Sequence, residues 1–442
     1  RESCGETRLI YRLGHAQSRL PFTVALELRN RGDCAVEARR WQRPASELTG
    51  EGGPLHQPAR QQLVQLAINV QAGRWPSAVR PDLGGHAEYL LRAFRWDGTA
   101  YVPRPLENTP DVARLKRDRE LLEELSTWLH AHADEVDQGF AVIPERFLAE
   151  VATSVTPRGF ARLANRPFTQ LFVPARFADV APARFTRTPE AFLRRLDDLS
   201  CSGCHQARAV AGFHQLGLDD DAPAANALAI GHSPHVHDDL PRRAAYVEAL
   251  ASGHAPEDAR PFAEHSGERG EYGAHCGLAD PSFAGWTCAP GLHCDGFEGD
   301  PAVGVCLGDR GVGDPCEPSR VQPDADPHRD RARLESARVC PEVCEATRVG
   351  FPSGMCAGGC GAPGSTCGAI AVLTPFNECL ARGQPFVDCA TQHSRPAGLR
   401  GCDLDHPCRD DYLCARTGSG KGACLPPYFV LQMRVDGHPT PR

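Results

Sequence analysis

Five consecutive residues, Cys201, Ser202, Gly203, Cys204 and His205, have types and a spacing that can do chemistry. Two thiols three positions apart, followed at once by an imidazole, form the Cys-x-x-Cys-His run at which a c-type haem is attached. On one helical turn the thiols share a side with the imidazole. The thiols then add to the porphyrin vinyl groups, and the histidine reaches the iron as an axial ligand. The same residues also permit a plain Cys201–Cys204 disulfide, a thioredoxin-like dithiol and a zinc site. The dithiol reading wants a βαβ pattern, and none surrounds this run. Zinc wants a further Cys or His nearby. The run lies about seventy residues before the next cysteine, which sets it apart from the dense set further on.

A haem iron held by His205 has a second face. No methionine occurs between positions 206 and 265; Met355 and Met433 are the two in the chain. Histidines are there instead: His214, and His232, His235 and His237 in the run Gly231-His-Ser-Pro-His-Val-His. His214 follows His205 by nine residues. On a continuous helix it would lie about 13 Å along the axis, so it needs a break, which Gly212 offers. A His–His pair makes a low-potential, six-coordinate electron carrier. An iron without a distal protein ligand is open to peroxide, and a histidine of the 232–237 cluster then serves as acid or base. The cluster can instead hold a separate metal ion, and each histidine singly also reads as a solvated surface residue.

The elements around the run divide the chain into three, giving a multi-domain α+β fold. Residues 1–105 read as a β-rich, sandwich-like domain. Phe22, Val24, Leu26 and Leu28 alternate with Thr23, Ala25, Glu27 and Arg29, and Val64, Leu66, Ile68 and Val70 repeat the pattern of a half-buried strand. Leu9-Ile10-Tyr11 is a weaker strand. Asp97-Gly98, between strands at 89–96 and 99–102, predicts a type I′ hairpin, and Cys4–Cys34 is the expected staple. Residues 106–265 read as the helical domain carrying the run. Thr109-Pro110-Asp111 predicts an N-cap and first turn, with the apolar face of Leu115, Leu121, Leu122, Leu125, Trp128 and Leu129 following to about residue 133. Thr188-Pro189-Glu190 opens a second helix to Leu199, which delivers the chain to Cys201. A later helix is expected from Pro241 to Ser252, ending at Gly253.

Residues 270–442 read as disulfide-stapled modules of irregular structure, with a last strand at Tyr428–Val435 and an exposed linker at 319–336. Sixteen of the twenty cysteines fall between Cys276 and Cys424. Cys288 to Cys294 and Cys408 to Cys414 share a five-residue spacer, and a further cysteine follows at Cys306 and Cys424. This is weak internal repetition of a small stapled unit, in which disulfides replace the core such a unit is too small to bury. Spacing alone does not give the pairing.

Composition narrows the function. The formal charge of −8 carries no basic patch, so nucleic acid is not an expected partner. Only Lys116 and Lys421 are lysines among 48 basic residues, an arginine bias of the kind a GC-rich bacterial genome produces. Dense, even cysteine usage calls for an oxidising compartment: periplasm, cell surface or medium. Apolar runs shorter than ten residues predict no membrane span, and the opening Arg1-Glu2-Ser3-Cys4 reads as a mature form with its export signal removed. Gly231-His-Ser-Pro-His lacks the last glycine of a nucleophile elbow. Gly418-Ser-Gly-Lys421-Gly lacks the Ser or Thr of a phosphate loop. Asp324, Asp326 and Asp330 lack the glycine and closing glutamate of a calcium loop.

The stretch around Cys201–His205 resembles a cytochrome c-type domain: a helix, the Cys-x-x-Cys-His run, a plausible helical continuation over 206–211, a loop, and an amphipathic helix at 241–252. The resemblance covers about 60 of 442 residues. It implies one covalent haem c on Cys201 and Cys204, His205 as proximal ligand, and His214, His232 or His235 as candidates for the other side. Leu199-Ser-Cys-Ser-Gly-Cys-His, Leu106-Glu-Asn-Thr-Pro-Asp and Asp238-Asp-Leu-Pro-Arg-Arg resemble exported bacterial proteins that join one such run to a β-rich N-terminal region. The expected function is electron transfer with a redox partner the sequence does not identify. The alternatives are a peroxidase-like haem protein and a secreted, non-enzymatic binding or cell-surface protein in which Cys201–Cys204 is one more disulfide.

Overall fold

The computed structural model describes residues 5–15, 18–29, 32–51, 53, 55, 63–76, 85–156, 165–206, 234–265, 269–270, 275–297 and 300–307, and in the tail 343–345, 355–357, 401–402, 413–416 and 422–425. The fold is mixed α+β. Strands β1 (Glu6–His15), β2 (Ser18–Arg29), β3 (Leu63–Pro76), β4 (Gly85–Trp96) and β5 (Tyr101–Arg104) form an antiparallel meander. The sixth strand, β6 (Val151–Thr156), comes from the stretch expected to be helical and pairs with β4. The described strands therefore make one six-stranded sheet.

Its two faces reverse the simple expectation. Register sets Glu27 against Gln65, Asn69 against Leu91 and Leu91 against Ala152, so these share a face. On β4 the buried positions are Tyr89, Leu91 and Ala93, and on β3 the buried residue is Asn69. The alternating apolar set on β3, Val64, Leu66, Ile68 and Val70, is only half-buried. Alternation marks two faces, but what packs on each decides which is drier. The β4–β5 hairpin forms as expected, though Trp96 pairs with Tyr101 across a four-residue loop rather than a two-residue type I′ turn. Asp97 Oδ1 accepts from Thr99 N and Ala100 N, both at 2.8 Å, and fixes that loop.

Eight helices are described: α1 (Cys34–Trp41), α2 (Ala45–Thr49), α3 (Val112–Arg117), α4 (Arg119–Ala131), α5 (Ala133–Gln138), α6 (Pro189–Leu199), α7 (Cys201–Gln206) and α8 (Pro234–Ala251). The long helix expected after Thr109 is three short ones. Asp111 caps the first and Asp118 the second, each accepting from the backbone N–H three residues on. Thr109 is not a cap, because its hydroxyl is used elsewhere. Thr188 does cap α6, with Pro189 in the first turn, as expected. Helix α8 begins at Pro234, so Pro241 lies inside it rather than opening it. It is held against α1 by Arg39, which donates to the Ala251 carbonyl at 2.6 Å, and by Gln42, which donates to Glu248 at 2.6 Å.

Helix α6 is the axis of the fold, buried from Ala191 through Asp198. One side packs into a core of Leu115, Leu125, Leu129, Phe147, Phe168 and Phe177. Its start packs with Phe262, Phe283 and Val303, which ties the helices to the first cysteine-rich module. That module holds β7 (Arg269–Gly270), β8 (His275–Gly277), β9 (Thr287–Cys288), β10 (His293–Phe297) and β11 (Asp300–Leu307), and is stapled by Cys276–Cys294 and Cys288–Cys306. Arg194 of α6 pairs with the fully buried Glu264, which also bonds His275 Nδ1 at 2.9 Å. Burial alone would push the Glu264 carboxyl up, but Arg194 and His275 outweigh it and hold it below its usual range. Further strands follow at β12 (Val343–Glu345), β13 (Met355–Ala357), β14 (Gly401–Cys402), β15 (Leu413–Arg416) and β16 (Gly422–Leu425). Cys34 is disulfide-bonded; Cys4, the 319–336 linker and Tyr428–Val435 lie outside the described residues. No described helix is long and apolar enough to cross a membrane.

Candidate functional site

The five-residue run forms α7, and Ser200 is the hinge that makes it a new helix. Ser200 sits in extended conformation after α6. Its hydroxyl accepts from Gly203 N at 3.0 Å and donates to the Asp197 carbonyl at 2.7 Å, while its own carbonyl accepts from Cys204 N at 2.9 Å. This is N-cap geometry, with one side chain closing α6 and opening α7. The break folds α7 back on the last turn of α6 so tightly that a Cβ at Gly203 would overlap the Asp197 carbonyl oxygen. Gly203 is thus required by a close backbone approach.

Cys201 is clamped by the turn at 106–109. Its N–H donates to Thr109 Oγ1 at 2.9 Å and its thiol to the Glu107 carbonyl at 3.3 Å. Thr109 Oγ1 in turn donates to the same carbonyl at 3.1 Å. Between them, Asn108 adopts φ +51, a left-handed conformation that Asn tolerates. Its amide bonds the Ala141 carbonyl and Ile143 N–H and locks the turn. Cys201 packs against an apolar patch of Leu91, Ala93, Leu106 and Ala152. Beside it lies an ion cluster in which Arg8 Nε is 3.3 Å from Glu27 and Nη2 is 3.8 Å from Glu107.

Burial pushes the Cys201 thiol up to about 11 and the Cys204 thiol up to about 12. Asp198 adds to the rise at Cys204 by charge repulsion. Neither cysteine is in a disulfide. Thioredoxin-like chemistry needs a lowered thiol pKa, so these two are poor partners for disulfide exchange. Among the described residues, the one group of three or more metal-type ligands drawn within 4.8 Å is Cys276, Cys288 and Cys294, which are already in disulfides. Cys201, Cys204 and His205 therefore do not converge on one ion, as zinc would require.

His205 faces the buried side of the sheet, where the Asn69 side-chain amide lies 3.4 Å from Nδ1. The near atom is the amide nitrogen, which donates to Nδ1, so in the neutral ring Nδ1 is the acceptor and Nε2 carries the proton. Asn69 belonged by its alternation to the polar side of β3, and no local pattern marks it as a partner of His205. Thr109 was legible only as a cap. The pair Asp197–Asp198 is likewise a tertiary product. Burial pushes Asp197 up to about 7 and Asp198 up to about 6. Asp197 accepts from Phe168 N at 2.7 Å, and Asp198 from Arg195 at 3.1 Å.

Of the candidates for the far side of an iron, His214 and His232 lie outside the described residues, and His235 stands in the first turn of α8 rather than in a loop. The donor set itself fits a c-type haem. Both cysteines are outside disulfides and stand a turn apart on one short helix, with His205 next in the chain. No protein-family model, curated protein or solved structure matches the chain.

Proposed function

We propose that this chain is an exported haem c protein that transfers electrons, with Cys201 and Cys204 as thioether attachments and His205 as an axial ligand. The observation that supports it most directly is the chemical state of the motif. Cys201 and Cys204 are thiols on one helical turn, while Cys34, Cys276, Cys288, Cys294 and Cys306 are in disulfides. A haem c supplies a one-electron couple when bound. The chain's own residues do the rest. Ser200 and the 106–109 turn fix where the thiols stand, Asn69 lies against the His205 ring, and Leu91, Ala93, Leu106 and Ala152 pack against Cys201. The disulfides support a periplasmic, cell-surface or extracellular location.

The test is an alkaline pyridine haemochrome spectrum with intact mass, on protein exported by a host competent in haem c maturation. A c-type spectrum and one added haem are expected, both lost in Cys201→Ala/Cys204→Ala. A colourless protein of unmodified mass from that host would overturn the proposal and favour the binding-protein reading.

A further inference from the structure

The first and last cysteine-rich units share a topology that their sequences barely show. In the first, the strand order is β10-β11-β8, with β11 central. In the last it is β14-β16-β15, with β16 central. The registers coincide as well. Cys294 lies opposite Cys306 and Gly304 opposite Cys276. Cys414 lies opposite Cys424, and Gly422 opposite Cys402. The glycine is two residues before the final cysteine in both. Four backbone positions on three strands thus superpose by register: 276 on 402, 294 on 414, 304 on 422 and 306 on 424.

From this we infer that residues 402–424 repeat the 276–306 module and take its disulfide pairing, first to third and second to fourth. In the first module Cys276–Cys294 joins the two outer strands and Cys288–Cys306 ties β9 to the central one. The equivalent bonds are Cys402–Cys414, between outer strands β14 and β15, and Cys408–Cys424 on central strand β16. Cys408 lies outside the described residues and enters by its place in the sequence, six before Cys414 as Cys288 is six before Cys294. The pair opposite in register, Cys294 and Cys306, is unbonded to each other in the first module, so proximity across one ladder is not the rule. Strands β12 and β13 repeat the same detail, with Cys344 opposite Cys356.

Each bond forms from two thiols with loss of two protons and two electrons. A disulfide-carrying oxidase of the export compartment accepts the electrons by thiol–disulfide exchange. The pairing is independent of whether haem is attached.

The experiment is a non-reducing peptide map of the full exported chain, with thiols blocked in acid before digestion. Trypsin with a protease cutting before aspartate separates all four cysteines, because Asp403, Asp405, Arg409, Asp411, Arg416 and Lys421 fall between them. The expected linked peptides join Cys402 to Cys414 and Cys408 to Cys424, and each vanishes on reduction. A Cys414–Cys424 link, a Cys402–Cys424 link or a bond from any of the four to another part of the chain would overturn the assignment.

Discussion

Cysteines in two parts of this molecule end in different chemical states, and their distances along the chain are the reverse of what one would guess. Cys201 and Cys204 are three residues apart and stay thiols, while Cys276–Cys294 and Cys288–Cys306 are each eighteen apart and bonded. Cys201 and Cys204 stand on the one short helix α7, with the Cys201 thiol held by the Glu107 carbonyl. In the stapled module the folded strands bring Cα atoms to 5.8 and 5.4 Å. Strands distant in the chain pair the cysteines of the stapled module, while α7 holds its two side by side without a bond.

The two regions are joined by Arg194, Glu264 and His275, and cutting that joint gives the largest effect. Glu264→Gln leaves Arg194 buried without its counter-charge and should cost about 3–5 kcal/mol in denaturant unfolding. A loss below about 1 kcal/mol would mean that this ion pair is not what couples the regions. The thiol state itself can be timed. In a chain made without haem maturation, Cys201 should alkylate at pH 8 on the order of a hundredfold slower than an ordinary thiol and Cys204 on the order of a thousandfold, because so little is thiolate. Rates equal to a small-molecule thiol would show that burial does not protect them. Gly203→Ala forces a Cβ into the Asp197 carbonyl and should cost about 2 kcal/mol of stability, read by thermal unfolding. A neutral result would mean that α6 and α7 are not packed at that turn.

A separate effect is in pH. Asp197 has an ordinary pKa of 3.8 and about 7 when folded. The folded chain therefore holds a proton that the unfolded chain has lost, and stability falls as pH rises from about 4 to about 7. Asp197→Asn removes this contribution. Its melting temperature should gain on the wild type between pH 5 and pH 7.5, and parallel curves would contradict the assignment.

Much of the frame was legible. Thr188-Pro189 gave the start of α6 because capping is a local matter, and alternation located β2 and β3 for the same reason. The surroundings of the motif were not legible. Thr109 looks like a cap until Cys201 occupies its hydroxyl. Asn69 looks solvent-facing until α7 covers that side of the sheet. Strand β6 was missed because Val151–Thr156 is short and gains its partner only from β4.

The sequence by itself determined the identity and order of the reactive groups, Cys201, Cys204 and His205, and the concentration of the other cysteines in the tail. Types and spacing are written residue by residue. The tertiary structure alone decided which cysteines bond, which sheet face is buried and which amide meets His205. Each of those depends on strands and helices far apart in the chain meeting in one register, and no local pattern encodes that meeting.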